Sequence, residues 1–492
     1  MPIQSLWSAP PIDLASPETR REGLRGVVLV LATLALTLPA VRALFAVLRV
    51  DGVTALDVGI LIAFALLFAW IALSFVSAVA GLAVGRMEEA DPCLDPETTP
   101  PNLNARTAIL LPIYNEPPRA AFARLRAMAR SLEAAGATEA FDIFVLSDTT
   151  RKDVQAAECA LFHPLRAEVG VAVYYRHRAR NTDRKAGNIA DWVRRFGGAY
   201  AHMVVLDADS LMSGDTLVRL AAAMERNPRL GLLQTTPVLV NLNSLLARAQ
   251  QFASRLYGPL LSRGIAWWSG GQGNYWGHNA IIRVRAFAEQ AGLPHLPGRK
   301  PFGGHIMSHD FVEAALMRRA GWEVRMAPLL GGSYEETPPT LSDLIARDRR
   351  WCQGNLQHLM VLPSRGLHWI SRLHLLRGVS SYLTAPIWLA LLIMGVILAL
   401  RPDLGAAGWS DAMEDGAHPD SSAVLGIFAI SMGFLLAPKL MAFGAMLADP
   451  DERRRFGGGR RAFRGLMLEM ALSTLIAPIL MLNQVRALAS IL

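Results

Sequence analysis

The sequence predicts an α/β domain with a mostly parallel sheet, inserted between two blocks of α-helical transmembrane segments. Three observations carry this. The chain of 492 residues is 52% hydrophobic with a mean hydropathy of +0.28, high for a wholly soluble protein. That excess gathers at the two ends, over residues 27–85 and again from 378 onward. Between them, short β-branched runs alternate with helical patterns.

A helix needs roughly 20 apolar residues to cross the hydrocarbon core. Two stretches before the middle block qualify, Val27 to Leu48 and Ala55 to Val84, and three after it, Val379 to Leu400, Ala423 to Leu447 and Leu466 to Leu482. Arg20, Arg21 and Arg25 precede the first pair and Arg86 follows it, so the positive-inside rule puts residues 1–26 and the block 86–377 in the cytoplasm. The stretch from Arg401 to Ser422 carries Asp403, Asp411, Glu414, Asp415 and Asp420 against one arginine and reads as periplasmic. Arg453, Arg454, Arg455, Arg460, Arg461 and Arg464 crowd the next connection, which returns to the cytoplasm. Residues 378–492 thus hold about three spans in a bacterial-type inner membrane.

The net charge of +8 has its densest cluster in that membrane loop, which argues against a nucleic-acid partner. Cys93, Cys159 and Cys352 lie far apart and form no C-x-x-C pair, so neither a disulfide framework nor a cysteine zinc site is expected. Two amphipathic stretches, Leu242 to Trp268 and His358 to Arg377, fit either the bilayer surface or an ordinary helix packed on a sheet.

In the middle block, Thr107 to Tyr114, Phe141 to Ser147, Val171 to Tyr175 and His202 to Leu206 read as buried strands. Helices are expected from Arg119 to Ala135 and from Lys185 to Phe196. Ligands of such sheets bind outside the carboxyl ends of the strands. Those ends carry Tyr114, Asn115 and Glu116, then Asp148, then Asp207-Ala208-Asp209. Like charges gathered on one edge repel unless a cation joins them. A hard divalent ion such as Mg2+ or Mn2+, which takes one or two carboxylates plus substrate phosphates, suits Asp207 and Asp209. The plainer role for these acids is to cap the helix beginning near Ser213.

Lys185 precedes a small-residue turn into a helix, a compact charge suited to a nucleotide diphosphate. The run from Trp268 to Asn279 packs glycines around amides and aromatics, so Trp276 and His278 are candidates for contact with a sugar acceptor, against a purely structural turn. Asp310, in Ser308-His309-Asp310, is either a helix cap or a carboxylate base able to take a proton from an acceptor hydroxyl. Arg347, Arg350 and Trp351 stand in a charged helix that could stabilise a departing diphosphate and stack on a sugar.

In this order the motifs resemble the processive family-2 glycosyltransferases of the GT-A fold. In that resemblance Asp148 takes the uridine-contacting position, Asp207-Ala208-Asp209 the metal motif, Asp310 the catalytic base, and Arg347 to Trp351 the Q-x-x-R-W motif. Arg347 stands in place of the glutamine, and Ser308-His309 in place of the usual pair before the base. The wording is most similar to the glucans biosynthesis glucosyltransferase H family, through Leu111 to Glu116, Asp183 to Asn188, Gly273 to Arg283, Ser308 to Ala314 and Arg349 to His358. The resemblance implies a metal-dependent, inverting enzyme. It would polymerise glucose from UDP-glucose onto a growing β-1,2-glucan in contact with membrane lipid, and work with a periplasmic glucan-processing partner. Transfer of one sugar to a polyprenyl-phosphate carrier is the competing enzymatic reading, and a nucleotide-sugar-binding membrane regulator the non-enzymatic one.

Overall fold

Strands form where apolar, β-branched residues run without interruption. In the computed structural model, which describes residues 1–8, 19–49, 52–86, 103–400 and 421–492, these runs are β1 (Thr107–Ile113), β2 (Phe141–Ser147), β3 (Ala172–His177) and β4 (His202–Val205). The acidic stretch 401–420 and Cys93 lie outside the described residues.

Helices α1 (Thr19–Leu48) and α2 (Ala55–Arg86) precede β1. After it come α3 (Pro118–Ala134), α4 (Lys152–Glu168), α5 (Arg184–Phe196), β5 (Leu211–Met212), α6 (Gly214–Arg226), β6 (Leu230–Thr235) and β7 (Val238–Leu239). Next are α7 (Leu245–Ser269), β8 (Ala280–Arg283), α8 (Val284–Gln290), α9 (His309–Arg319), β9 (Glu323–Ala327) and β10 (Ser333–Glu335). The chain ends with α10 (Leu341–Leu356), α11 (His358–Val361), α12 (Trp369–Ala399), α13 (Ser421–Ala448), α14 (Pro450–Arg455) and α15 (Gly459–Ile491).

The described chain divides into two units. The first comprises residues 1–22, 88–255 and 269–378. It is built on a seven-stranded sheet in the order β3-β2-β1-β4-β8-β6-β9, with a small sheet β5-β10-β7. All pairings in the large sheet are parallel except those of β8, which runs antiparallel to both β4 and β6. One face packs on α3, α4 and α6 through Phe122, Leu125, Met128, Leu165 and Leu217. The other packs on α5, α8 and α9 through Trp192, Phe287 and Met317. A buried layer on each face is what continuous apolar strands require.

The first eight residues belong to this unit and are bound to it. Gln4 donates its amide to Gly292 and its side chain to Glu289, Arg319 donates to the Ser5 carbonyl, and the Arg365 amide donates to Leu6. Leu6 is buried with Val312, Leu316, Val361 and Leu375. Residues 1–8 therefore form a strap over the back of α9 rather than a loose tail.

The second unit comprises residues 23–87, 256–268 and 379–492. Among the described residues five helices are apolar and long enough to span a bilayer: Gly23–Leu48, Ala55–Gly85, Trp369–Ala399, Ser422–Ala448 and Gly459–Ile491. Helix α7, amphipathic in sequence, gives residues 245–255 to the first unit and 256–268 to the second. In the second it lies so close to α2 that a Cβ on Gly264 would stand 1.9 Å from the Ser77 carbonyl oxygen. Small residues at such crossings let helix backbones meet. Phe75 stacks on Phe434 with centroids 4.4 Å apart. Lys439 of α13 reaches both carboxylate oxygens of Glu469 on α15 at 2.9 and 2.8 Å, a charge pair within two spans that each partner neutralises for the other.

Candidate active site

The turn after β4 presents Asp207 and Asp209 and is fixed from several sides. The Asp207 amide donates to the Ser210 hydroxyl, and Arg124 donates to the Ala208 carbonyl at 3.0 Å. Neither acid caps the next helix. Ser213 does so, its hydroxyl accepting from the Thr216 amide. Asp207 is ion-paired with Lys185, and its side chain remains 42% exposed. Burial pushes the Asp207 carboxyl up, but Lys185, His278 and His309 outweigh it and hold the group below the usual carboxylate range. Burial and the Asp207 charge push Asp209 the other way.

Lys185, from the first turn of α5, also donates to the Gly277 carbonyl at 2.7 Å, as does the Tyr275 hydroxyl at 2.9 Å. Gly277 sits at φ 87°, in the left-handed region that favours glycine, and a Cβ there would lie 3.2 Å from Asp310 Oδ2. Asp310 is in the first turn of α9 and is not its cap, which falls at Ser308. Asp207, Lys185, Gly277 and Asp310, spread over more than a hundred residues of sequence, thus form one continuous contact path.

The loop bearing Gly277 is built by internal hydrogen bonds. Gln234 donates to the His278 carbonyl and accepts from the Trp276 amide, and Asn279 donates to Ser333 and Tyr334. His278 Nε2 lies 3.2 Å from Glu335. Burial pushes the Glu335 carboxyl up, with Asp209 and Asp207 adding to it.

At the ends of β1 and β2 the side chains divide between structure and opening. Asn115 is committed to the fold. Its Oδ1 accepts from the amides of Thr150 and Arg151 and its Nδ2 donates to the Thr150 hydroxyl, so it ties the two strand ends together. Tyr114 is exposed. Burial raises the Glu116 carboxyl to about 6, against the hydrogen bond from the Tyr114 amide, and the Asp207 charge adds to the rise. Asp148 is buried, and Arg178 grips both its oxygens at 2.6 Å. Arg178, a residue that sequence reasoning missed, therefore shares the place of Asp148 at this strand end.

One face of α10 carries Arg347, Arg350, Trp351 and Gly354 at helical spacing. The Arg347 guanidinium lies over the Trp351 ring at 4.4 Å and adds positive charge near Glu335, while Arg350 is exposed. Of these two arginines the packing holds Arg347. Farther along, a Cβ on Gly354 would stand 2.3 Å from Ser308 Oγ. Gln357 accepts from the Met307 amide and donates to the His305 carbonyl, and His358 Nε2 meets the Ser308 carbonyl at 3.1 Å. These three residues seat the loop that leads into Asp310. Their role is readable only from the fold, because they lie some fifty residues away from it.

Among the described residues no group of three His, Cys, Asp or Glu is placed to hold a metal. Two acids beside an open edge, one already paired to a lysine ammonium, fit an ion that completes its shell with phosphate and water rather than a closed protein cage.

An α/β unit with paired acids beyond its strand ends, joined to span-length helices, has the class of a membrane glycosyltransferase of family 2 by comparison with known families. The family models described as "Glycosyl transferase family 2" and "Glycosyl transferase family group 2" match residues 108–290 and 202–436. Glucans biosynthesis glucosyltransferase H of Bradyrhizobium diazoefficiens is 51% identical over 98% of this chain and 66% of its own length. The protein of that name from Rhodopseudomonas palustris (strain ATCC BAA-98 / CGA009) is 51% identical over 100% of this chain and 68% of its own. The chain belongs to the glucans biosynthesis glucosyltransferase H family, and spans about two thirds of the length of these relatives. Among solved structures, a mannosyltransferase from Pyrobaculum calidifontis in complex with GDP-Man and Mn2+ aligns with a TM-score of 0.44 at 13% identity, over 82% of this chain and 98% of that one.

Proposed function

We propose that the protein is an inverting glucosyltransferase of the bacterial inner membrane, with its catalytic unit in the cytoplasm, that transfers glucose from UDP-glucose to a growing β-1,2-glucan. The observation that supports it most is the contact path from Asp207 through Lys185 and Gly277 to Asp310, which joins the acids at the end of β4 to the acid at the start of α9.

Asp207 and Asp209 would hold Mg2+ or Mn2+, which neutralises charge on the diphosphate when bound. Asp148 with Arg178, Tyr114 and Glu116 form the wall for the nucleoside, Asn115 fixing their loops. Lys185 binds and orients the diphosphate. Asp310 takes the proton from an acceptor hydroxyl as its oxygen bonds to the anomeric carbon, and the bond from that carbon to the diphosphate oxygen breaks with inversion from α to β. Arg347 and the exposed Arg350 receive charge on the departing UDP. Trp351, exposed on the same helix face, offers its ring to the acceptor sugar, with Trp276 on the neighbouring loop. His278, held by Glu335, steadies the acid pair. The cytoplasmic side follows from the arginines that flank the spans.

The test is purified full-length protein with labelled UDP-glucose and Mg2+ or Mn2+, followed by sizing and linkage analysis. A β-1,2-linked polymer is expected, and one glucose on a lipid carrier would overturn the polymerase reading. Asp310→Asn should lower transfer by at least about a thousandfold while UDP affinity stays within twofold. Retained turnover would remove Asp310 from the role of base.

A further inference from the structure

The connection between α13 and α15 carries a cavity that the transfer reaction does not use. It has a volume of about 300 Å3 and is lined by Phe443 and Leu447 from the end of α13, and by Gly459, Arg460, Phe463 and Arg464 from the start of α15. Its chemistry is split. Phe443 and Phe463 lie with centroids 6.0 Å apart, their rings tilted to one another, and with Leu447 they make an apolar wall at the end of two spans. Arg460 and Arg464, four residues apart on α15, lie on one face of that helix and are both exposed.

The charge there is not consumed by the protein. Six arginines face three acids between residues 449 and 464. Two of those acids are spent on other arginines: Asp451 pairs with Arg454, and Glu452 with Arg455 at 2.7 Å. The third, Asp449, caps α14 by accepting the amides of Asp451 and Glu452. Among the described residues Arg460 and Arg464 form no ion pair or side-chain hydrogen bond. The positive end of α15, whose first turn has no side-chain cap, adds charge of the same sign.

We propose that this cavity binds one anionic glycerophospholipid, its phosphate between Arg460 and Arg464 and the upper part of an acyl chain against Phe443, Leu447 and Phe463. Charge complementarity selects the headgroup, because guanidinium forks without a carboxylate partner match a phosphate diester. The apolar lining selects a lipid over a free anion, because an inorganic phosphate would leave the two rings and Leu447 exposed to water. A basic pocket at the mouth of two spans is the setting in which such headgroups are held.

The test uses the full chain, delipidated in detergent and returned to nanodiscs of phosphatidylcholine with or without 20% phosphatidylglycerol, with bound lipid counted by native mass spectrometry. One phosphatidylglycerol should be retained with a preference on the order of tenfold over phosphatidylcholine. The double variant Arg460→Gln/Arg464→Gln should abolish that preference. Arg453→Gln/Arg454→Gln, which removes equal charge from the same loop but not from the cavity, should keep it within twofold. Equal retention of the two lipids overturns the proposal, as does equal loss in both double variants, which would show diffuse attraction to the loop. Binding of soluble glycerol phosphate as tight as that of the lipid would overturn the acyl part and leave a plain phosphate site.

Discussion

Alanine at position 277 adds one methyl group beside Asp310, the proposed base, and its cost can be divided into two parts. The first is backbone strain: at φ 87° an L-residue loses about 1–2 kcal/mol relative to glycine. The second is local. The new Cβ would stand 3.2 Å from Asp310 Oδ2 and 3.6 Å from its Cβ and Cγ, so the carboxylate must retreat by a few tenths of an ångström. Misplacement of a reacting group by about 1 Å costs on the order of a hundredfold, so a retreat of this size should lower kcat about tenfold. UDP affinity should stay within twofold, since Lys185 bonds to the Gly277 carbonyl and not to its α-carbon. Gly136→Ala is the matched control. Gly136 has φ 68° and nothing within 4 Å of its Cβ position, so it should show the strain as a lower Tm and no change in kcat. Initial rates of glucose transfer, UDP titration calorimetry and thermal melts of the three proteins separate the parts. Equal kcat for Gly277→Ala and Gly136→Ala would refute the claim that Gly277 positions the base, and a parallel collapse of UDP binding would show that the loop as a whole had failed.

Lys185→Met should tighten Mn2+ binding in the absence of nucleotide, because the Asp207 carboxylate loses the ammonium that competes for it, and should weaken UDP binding. Electron paramagnetic titration of free Mn2+ reads the first effect, and weaker Mn2+ binding would show that Lys185 supports the acid rather than competing for it. His202 is buried beside Arg283, and burial lowers its pKa to about 4 from an ordinary value near 6.5. Between these values the unfolded chain binds the proton and the folded chain does not, so stability is fully present above pH 6.5 and falls as pH drops toward 4. The slope is about 1.4 kcal/mol per pH unit for this one group. Thermal melts from pH 7 to 5 should show a smaller drop in His202→Gln than in the parent protein, and an unchanged slope would assign the loss to other groups.

How far the sequence reveals this depends on the range of each interaction. Strands β1 to β4 are legible because a continuous apolar run is a local signal, and the acids beyond them because strand ends are where such sheets bind ligands. The antiparallel insertion of β8 between β4 and β6 is not legible, since Ala280 to Arg283 says nothing of its neighbours. Asp148 is visible as a strand-end acid, but its partner Arg178 lies thirty residues on, in a stretch without a pattern. Asn115 reads as a binding residue because an exposed-looking amide next to a glutamate carries no sign that three loop groups already use it. The amphipathic face of α7 is evident, yet periodicity gives only that a face is buried, not that its two halves serve different units.

The strap of residues 1–8 has a consequence for biosynthesis. Its partners, Glu289, Gly292, Arg319 and Arg365, emerge from the ribosome some 280 to 360 residues after it. At about 5–20 residues per second, Leu6 waits on the order of tens of seconds before the pocket formed by Val312, Leu316 and Leu375 exists to receive it. In that interval the two span-length helices α1 and α2 are also made. Residues 1–8 are therefore made long before the residues that seat them, and completing the surface behind α9 waits until synthesis has passed Arg365 and Leu375.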